Sequence, residues 1–271
     1  MTSDSQLEAS SKNPATPDPE TGGQMTFFEH LIELRKRIIN SLVAVFVGAM
    51  VGWFVAPKLV GFITVPIQGA LKAHNLNPQL VYTGPTDYLS LLIKLSIYLG
   101  IVMASPVILY QVWLFVAPAL YKNEKSAVTG FLFSTVFLFL AGIAFAYFLA
   151  LPHILNFLVG FQGPVVPLIK IDDYFDLVLL VIVALGLVFE LPVLIFFLTL
   201  FGIVTPKFLI ANTKYAVLVI TVVAAIVTPT PDAVTMLLVM AVMTALYFVG
   251  VGVSWIVVTR RERRLAAETR G

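Results

Sequence analysis

Long apolar segments dominate this sequence and limit what it can fold into. A helix needs about 20 mostly apolar residues to cross about 30 Å of hydrocarbon. Four segments reach that length, and they run from Ile38 to Pro57, Tyr88 to Pro118, Val128 to Leu151 and Leu177 to Phe201. Only 12% of the residues are charged, where a soluble domain has about a quarter. The sequence therefore predicts an all-α fold that spans a membrane several times.

A fifth apolar stretch, residues 208–258, predicts two more spans. It is interrupted between Thr228 and Asp232 by two prolines and a carboxylate, a pattern that favours a turn. We therefore expect six transmembrane helices, with Asp232 capping the N-terminus of the sixth.

The fifth of these helices is predicted to be short. Thr205 followed by Pro206 is typical of a helix start. Between Lys214 and the turn lie only 13 residues, nearly all of them apolar, which is about 20 Å of helix and less than a bilayer requires. We expect the membrane to be locally thin at this point.

The distribution of basic residues predicts the orientation. With alternating sides, three basic residues fall on one side, Lys58, Lys72 and Lys170, while 13 of the 17 fall on the other. Those 13 are Lys12, Arg35, Lys36, Arg37, Lys122, Lys125, Lys207, Lys214, Arg260, Arg261, Arg263, Arg264 and Arg270. Because loops rich in Lys and Arg stay inside, both termini are expected in the cytoplasm.

The regions outside the spans have distinct compositions. Residues 1–24 are polar and rich in Ser, Thr and Pro, which predicts a disordered cytoplasmic tail. Residues 25–258 form the predicted membrane domain, and residues 259–271 a basic cytoplasmic tail. The outer loops, 58–87 and 152–173, are apolar for loops, so short helices are expected to pack there as a rim over the spans.

Residue types needed for common chemistry are missing or scattered. The chain has no Cys, and its three His, at positions 30, 74 and 153, are too far apart to form a metal motif. It contains no H-E-x-x-H or G-x-S-x-G motif and no P-loop. We expect no enzymatic activity and no cofactor, so any work must draw on a partner or on the membrane potential.

Two carboxylates lie at the cytoplasmic ends of predicted spans. Glu33 belongs to an amphipathic helix that leads into the first span, and Arg37 is its i,i+4 partner. Glu124 lies between Lys122 and Lys125, beyond the proline at 118 that should end the second span. Helix statistics alone favour a solvated, charge-balanced surface at both positions. A binding site is the alternative.

Several further polar or special positions lie within the apolar runs. Glu190 is flanked by apolar residues on both sides, where an ionised carboxylate costs several kcal/mol, so it must face protein or water. It either ties two helices together by a hydrogen bond or serves the function. Lys94 is expected to extend toward the outer interface as an anchor. Pro106 should kink the second span, and the Gly250-x-Gly252 pair should allow close helix packing.

These landmarks, in their order along the spans, resemble the TatC family, the receptor subunit of the twin-arginine protein translocase. The resemblance covers about residues 25–258. It rests on the segment from His30 to Arg37; Pro66; the segments from Ser105 to Trp113 and Ala117 to Lys122, with Phe115 and Glu124; Gly142 and the segment from Phe145 to Tyr147; the segment from Phe189 to Pro192; and Thr228, Pro229 and Asp232.

The resemblance implies a glove-shaped bundle in the cell inner membrane that binds the twin-arginine signal peptides of folded precursors. The implied signal-binding residues are Glu33, Arg35, Arg37, Phe115, Lys122 and Glu124, and Pro66, Pro106 and Pro118 are implied to be structural. Glu190, Thr228 and Asp232 are the implied intramembrane and partner-facing polar residues. The implied partners are single-span proteins of the TatA/TatB type near the fifth and sixth helices, further copies of the chain and the lipid bilayer. Transport is implied to be driven by the proton-motive force. The resemblance implies no nucleic-acid partner.

The sixth helix departs from the family pattern. Family members often carry polar residues or proline where this chain has Met236, Val242 and Phe248. A partner contact there would have to use other side chains, such as Thr228, Thr230 or Thr235. Two alternatives from other classes are a proton-coupled small-molecule permease subunit that uses Glu190, and a passive scaffold.

Overall fold

The computed structural model describes residues 27–116, 125–161, 167–228 and 232–268. Within these ranges the fold is helical, with one isolated bridge between extended residues. The helices are α1 Phe27–Ile63, α2 Val65–Ala73, α3 Asp87–Val116, α4 Lys125–Phe145, α5 Leu151–Gly160, α6 Ile171–Val188, α7 Leu191–Leu200, α8 Pro206–Ala211, α9 Thr213–Val227 and α10 Ala233–Glu268. A π-helical turn, Ala146–Ala150, joins α4 to α5.

In the described part of the chain, five helical segments are long and apolar enough to cross a membrane. They are His30–Ala73, Asp87–Phe115, Phe133–Gly160, Ile171–Leu200 and Ala233–Arg260. The all-helical membrane fold is therefore confirmed. The predicted fifth span corresponds to the shorter apolar helix α9, whose 15 residues extend about 22 Å, so the count of six spans stays a prediction.

One predicted span boundary is wrong and a second predicted span contains a break, and proline is involved in both. The first span does not end at Pro57, because α1 continues through this residue to Ile63; an apolar helix tolerates one lost hydrogen bond when its neighbours continue to pack. The run from Leu177 to Phe201 is two helices rather than one. Pro192 lacks the N–H that would bond to the Val188 carbonyl, and α6 ends at Val188.

Helices α1 and α3 cross with their backbones in contact. A Cβ at Gly48 would lie 2.8 Å from the carbonyl oxygen of Gly100, and a Cβ at Gly100 would lie 2.6 Å from the backbone nitrogen of Ala49. One turn further along α1, a Cβ at Gly52 would lie 2.8 Å from the carbonyl oxygen of Ser96. Only glycine permits this approach, so α1 and α3 form a close antiparallel pair.

Most of the largest buried side chains gather at one end of the bundle, which we call the capped end and which comprises residues 61–95, 146–161 and 167–185. Short helix α2 packs there against α5. Extended residues of the two loops also pair, because the Val81 N–H donates to the Ile169 carbonyl at 3.0 Å and the Ile171 N–H donates to the Val81 carbonyl at 2.8 Å. The fully buried residues include Ile67, Leu71, Leu91, Leu95, Leu151, Ile154, Phe175, Val178 and Leu185. The rim of short helices predicted from the sequence is confirmed.

Pro66 has a structural role at the capped end. A proline at this position cannot donate to the Phe62 carbonyl in the last turn of α1. The Tyr147 hydroxyl donates to that carbonyl instead, at 2.7 Å, and the Tyr174 hydroxyl donates to the neighbouring carbonyl of Ile63. Both hydroxyls therefore satisfy backbone oxygens at the end of α1 that would otherwise be buried without a partner.

Helices α7 and α10 form a second close pair. A Cβ at Gly250 would lie 2.5 Å from the Cδ1 of Ile195, and nothing lies within 4 Å of a Cβ at Gly252. The hydroxyls of Thr199 and Ser254 are buried and 2.7 Å apart. Close packing at Gly250 is therefore confirmed, whereas Gly252 takes no part in it.

Replacing Gly100 with alanine is expected to destabilise the α1–α3 pair. The added methyl meets backbone atoms of α1 that cannot rotate away, which should cost about 1–3 kcal/mol and exceed the gain of about 1 kcal/mol that alanine brings to a helix. Unfolding of the purified protein in detergent measures the effect. Gly252→Ala is the control, because it adds the same methyl in open space. Equal loss of stability in both variants would contradict the proposed contact.

Removing the Tyr147 hydroxyl should leave the Phe62 carbonyl unsatisfied and cost about 1–3 kcal/mol. The cost of Tyr147→Phe should shrink in a Pro66→Ala background, because the new backbone N–H at position 66 can donate to the same carbonyl. A double-mutant cycle on the free energy of unfolding tests this coupling. Additive effects of the two substitutions would show that the two donors do not share one acceptor.

Candidate functional site

A cluster of polar and aromatic side chains joins α1 to α3 at the end of the bundle opposite the capped end, which we call the site end. The Arg37 Nη2 donates to the Glu33 Oε1 at 2.8 Å, one helical turn away on α1. The Arg37 Nη1 donates to the Gln111 Oε1 on α3 at 3.3 Å. Arg37 therefore links the two helices, and Glu33 is held beside it.

Two aromatic rings add a second link between the same helices. The rings of His30 and Phe115 stack with centroids 4.3 Å apart and an interplanar angle of 24°. His30 lies one turn before Glu33 on α1, and Phe115 lies one turn after Gln111 on α3. The antiparallel α1–α3 pair thus brings together residues that are about 80 positions apart.

The ion pair leaves hydrogen-bonding capacity unused. The Glu33 Oε2 and the Arg37 Nε are both buried and have no hydrogen-bond partner among the described residues. The Glu33 and Arg37 side chains keep 14% and 21% of their exposure. A carboxylate can accept two parallel bonds from one guanidinium, whereas within the described ranges only one oxygen of Glu33 accepts a bond from Arg37.

The structure brings only some of the sequence-predicted site residues together. Glu33, Arg37 and Phe115 belong to this cluster, while Arg35 is exposed and points away from its i+2 neighbour Arg37. Lys122, Glu124 and Pro118 lie outside the described residues. The binding role of all six predicted residues stays a prediction.

Sequence reasoning missed Gln111. It is neutral and lies among apolar and aromatic residues, and it received no role although it belongs to the segment from Ser105 to Trp113 that carries the resemblance. A signal was nevertheless present, because Gln111 and Phe115 are four residues apart and share one face of a helix. A polar residue one turn from a predicted contact residue is a reasonable member of the same site.

Pro106 lies inside α3, five residues before Gln111, and the helix continues through it. The Ser105 hydroxyl donates to the Val102 carbonyl at 2.8 Å, which is the carbonyl that Pro106 leaves without a backbone donor. This bond helps to keep α3 helical on its way to the site end. The predicted kink at Pro106 stays a prediction.

Glu190 lies at the break between α6 and α7. Its backbone N–H donates to the Leu187 carbonyl at 3.1 Å and its own carbonyl accepts from the Leu194 N–H at 2.9 Å. Both carboxylate oxygens are buried and make no hydrogen bond with the described residues. The two interpretations of Glu190, a tie between helices and a functional group, both stay predictions.

The turn before α10 uses its polar side chains locally. Asp232 accepts from the Val234 N–H at 3.0 Å and the Thr235 N–H at 2.9 Å, which confirms it as the N-cap of α10. The Thr235 hydroxyl and these backbone donors lower the pKa of Asp232. The buried Thr228 hydroxyl donates to the Ala224 carbonyl at 2.7 Å. Thr228 and Thr235 are therefore occupied within the chain, and Thr230 lies outside the described residues.

Lys94 has two acidic partners that the sequence analysis did not foresee, and its role as an interfacial anchor stays a prediction. Its ammonium donates to Asp172 at 3.0 Å and to Asp176 at 2.8 Å, so it joins α3 to α6 at the capped end. The sequence did not reveal this pairing because the two carboxylates are 78 and 82 residues away. Asp172 and Asp176 are four residues apart and occupy one face of α6.

The fold and the site define a multi-span helical membrane protein with a carboxylate at one end of the α1–α3 pair. The family model described as Sec-independent protein translocase protein (TatC) matches residues 29–242. The Sec-independent protein translocase protein TatC of Koribacter versatilis is 45% identical over 246 residues, which are 90% of this chain and 91% of that protein. The TatC of Aquifex aeolicus is 38% identical and covers 76% of this chain and 85% of its own length.

Solved structures agree with these relatives. A crystal structure of a twin arginine translocase receptor TatC is 36% identical, covers 84% of this chain and 98% of its own, and superimposes with a TM-score of 0.69. A second one, of the receptor in DDM, has a TM-score of 0.71 at 36% identity and covers 83% of this chain and 99% of its own. The chain therefore belongs to the TatC family and is a component of a protein translocase.

Proposed function

We propose that this chain is the receptor subunit of a twin-arginine translocase and that it binds twin-arginine signal peptides of folded precursor proteins at the site end. The observation that carries the proposal is the buried Glu33 Oε2, an acceptor oxygen that has no partner among the described residues and lies in the same cluster as the stacked rings of His30 and Phe115. Family membership and the description of the solved relatives as twin arginine translocase receptors support it.

The chemistry of Glu33 suits an arginine better than a lysine. A guanidinium presents two parallel N–H groups in a fixed plane, which match the two oxygens of a carboxylate, whereas an ammonium makes point contacts. Glu124 is the proposed acceptor for a second arginine, and Phe115, Arg35 and Lys122 are proposed to contact the rest of the signal. In this proposal the carboxylates supply specificity for the paired arginines.

The chain is proposed to cross the cell inner membrane six times, with both termini in the cytoplasm. The bias of 13 basic residues toward one side supports the orientation. Helix α9 is proposed as the fifth span. Its apolar surface, which includes Leu218, Val219, Val222 and Ile226, is exposed. Helix α9 is proposed to contact single-span partners of the TatA/TatB type. Transport is proposed to be driven by the proton-motive force, and copies of the chain are proposed to self-associate.

An interrupted helix beside a carboxylate, as at Glu190, is also a feature of the permease alternative. Membership of a translocase family favours the receptor. In the receptor, Glu190 is proposed to keep the bilayer thin or hydrated at the break between α6 and α7 and to help bind a partner helix.

Removing either acceptor should weaken precursor binding. Glu33→Ala and Glu124→Ala are each expected to lower crosslinking of a twin-arginine precursor about tenfold or more, which corresponds to the loss of one charge-assisted hydrogen bond. The double Glu-to-Gln variant should nearly abolish crosslinking. Glu262→Ala, an exposed carboxylate on α10, is the matched control and should bind normally. Unchanged crosslinking in both single variants would refute the proposed site.

Glu190→Ala should slow export while precursor binding and the free energy of unfolding stay near wild type, because its carboxylate makes no hydrogen bond with the described residues. Glu190→Gln should also slow export, since it cannot ionise. Thr199→Val is the structural control: it removes the buried bond to Ser254 and should lower the free energy of unfolding by about 1–3 kcal/mol. The measurements are export rate, binding and thermal unfolding in the same membranes. Loss of stability in Glu190→Ala that parallels its loss of export would overturn the functional role.

A further inference from the structure

We propose that a groove between the α1–α3 pair and helices α4 and α6 binds one acyl chain of a membrane phospholipid. The described residues of these four helices and of the π-helical turn leave a volume of about 300 Å³ between them. Of the 15 residues that line it, all but Tyr98 and Tyr147 are aliphatic or phenylalanine. Glu33 and Arg37 are not among them, so this inference does not depend on the proposed signal site.

Contacts outside the groove fix the helices that surround it. The glycine contact described above holds α1 against α3. Helices α4 and α6 also touch through their backbones, because a Cβ at Gly142 would lie 2.8 Å from the carbonyl oxygen of Leu185. The Lys94 ammonium joins α3 to α6 through Asp176 at 2.8 Å. Closing the groove would break one of these contacts, whereas protein interiors leave few voids larger than a water molecule. The groove therefore needs an occupant.

The groove opens at the surface of the spans. We call its buried lining residues the floor and its exposed ones the mouth. Leu95 and Leu179 of the floor are 1% and 3% exposed, whereas Phe62 and Phe148 of the mouth are 52% and 65% exposed. All four belong to segments that are long and apolar enough to cross a membrane. The medium at the mouth is therefore the hydrocarbon of the bilayer.

Water does not suit this groove. A buried water molecule needs two to four polar partners, and the described lining offers two tyrosine hydroxyls. The hydroxyl of Tyr147 already donates to the Phe62 carbonyl at 2.7 Å. The groove is therefore filled by an apolar group.

The size of the groove favours an acyl chain over a helix. A helix of about 10–12 Å diameter and 5.4 Å pitch occupies about 400–600 Å³ per turn, which exceeds the whole groove. A methylene is about as large as a water molecule, whose share of the liquid is about 30 Å³, so the groove takes about ten methylenes of one extended chain. A partner helix can insert single side chains at the mouth, but its backbone stays outside.

The bound chain acts as a structural ligand. Side chains that border an empty groove lose their van der Waals contacts on one side, and the acyl chain supplies these contacts. It thereby packs the α1–α3 pair against α4 and α6. Receptor that has been stripped of phospholipid should be less stable than receptor that has retained it.

The test uses the full-length receptor in nanodiscs that contain a phosphatidylglycerol with a photoreactive diazirine near the end of one acyl chain. Lipid around the protein can label exposed side chains anywhere on the spans, but it reaches Leu95 and Leu179 only from within the groove. We expect both to be labelled when peptides are analysed by mass spectrometry after irradiation. Val239 of α10, which is 1% exposed and does not line the groove, reports the background. Floor labelling no stronger than that of Val239 would refute the site.

A variant that fills the groove provides the second arm. Ala144 lines the groove from α4 and is exposed, so a larger side chain fits there without entering the core. Ala144→Phe should lower floor labelling about tenfold, the loss expected when about two methylenes no longer bind. Ala241→Phe, at an exposed position of α10 that does not line the groove, is the matched control and should label like wild type.

Thermal unfolding in detergent gives an independent reading on the same variants. Added phosphatidylglycerol should raise the Tm of the wild type and of Ala241→Phe more than that of Ala144→Phe, whose groove is already filled. Equal floor labelling in the two variants, or an equal gain in Tm, would overturn the inference.

The same nanodiscs distinguish an acyl chain from a peptide. In a parallel experiment, a twin-arginine signal peptide with a diazirine in its apolar stretch replaces the labelled lipid. If the peptide labels Leu95 and Leu179 and the lipid does not, the groove binds peptide and the proposed acyl chain is refuted. Glu33→Ala should leave floor labelling by the lipid unchanged, because Glu33 does not line the groove. Failure of the signal site therefore leaves this inference standing, and the reverse also holds.

Discussion

The backbone contact between α1 and α3 is the constraint on which the rest of the structure depends. Gly48 and Gly100 let the two helices approach until main-chain atoms touch, and the register of this contact decides which side chains meet at either end. At the site end it places Arg37 within hydrogen-bonding distance of Gln111. In a membrane, where lipid is as apolar as the side chains, such close packing is a main source of helix association.

The fold also depends on side-chain hydroxyls that donate to the backbone carbonyls left without an N–H donor by proline. The Tyr147 hydroxyl satisfies the carbonyl opposite Pro66, and the Ser105 hydroxyl satisfies the one opposite Pro106. An unsatisfied backbone group in hydrocarbon costs several kcal/mol, so these hydroxyls allow prolines where the chain needs corners or bends. The helix interrupted before Pro192 is different, because it ends at a buried carboxylate that lacks a partner among the described residues. Glu190 thus differs from Tyr147 and Ser105, whose hydroxyls satisfy backbone carbonyls.

Features determined by neighbouring residues could be predicted from the sequence. The Thr205–Pro206 start of α8, the Asp232 cap of α10 and the Glu33–Arg37 pair each involve residues within four positions of one another. Contacts between distant residues could not be predicted, because hydropathy shows that helices span the membrane but not which faces meet. Two such contacts are the bonds of Lys94 to its two aspartates and the hydrogen bond between Arg37 and Gln111. The C-terminal end of α1 was missed for a related reason, since Pro57 ends a helix only where packing does not continue beyond it.

The pairing of Val81 with the loop before α6 has a mechanical consequence. Together with the packing of α2 on α5 and the bonds from Lys94 to α6, it ties the connections at the capped end into one stiff block. At the opposite end α1 begins as a helix with large exposed side chains, such as Phe28 and Ile32, and the contacts described above between α1 and α3 are those of Arg37 with Gln111 and of His30 with Phe115. The two ends are therefore built differently, because backbone and side-chain bonds connect whole loops at the capped end, whereas side chains of two helices meet at the site end.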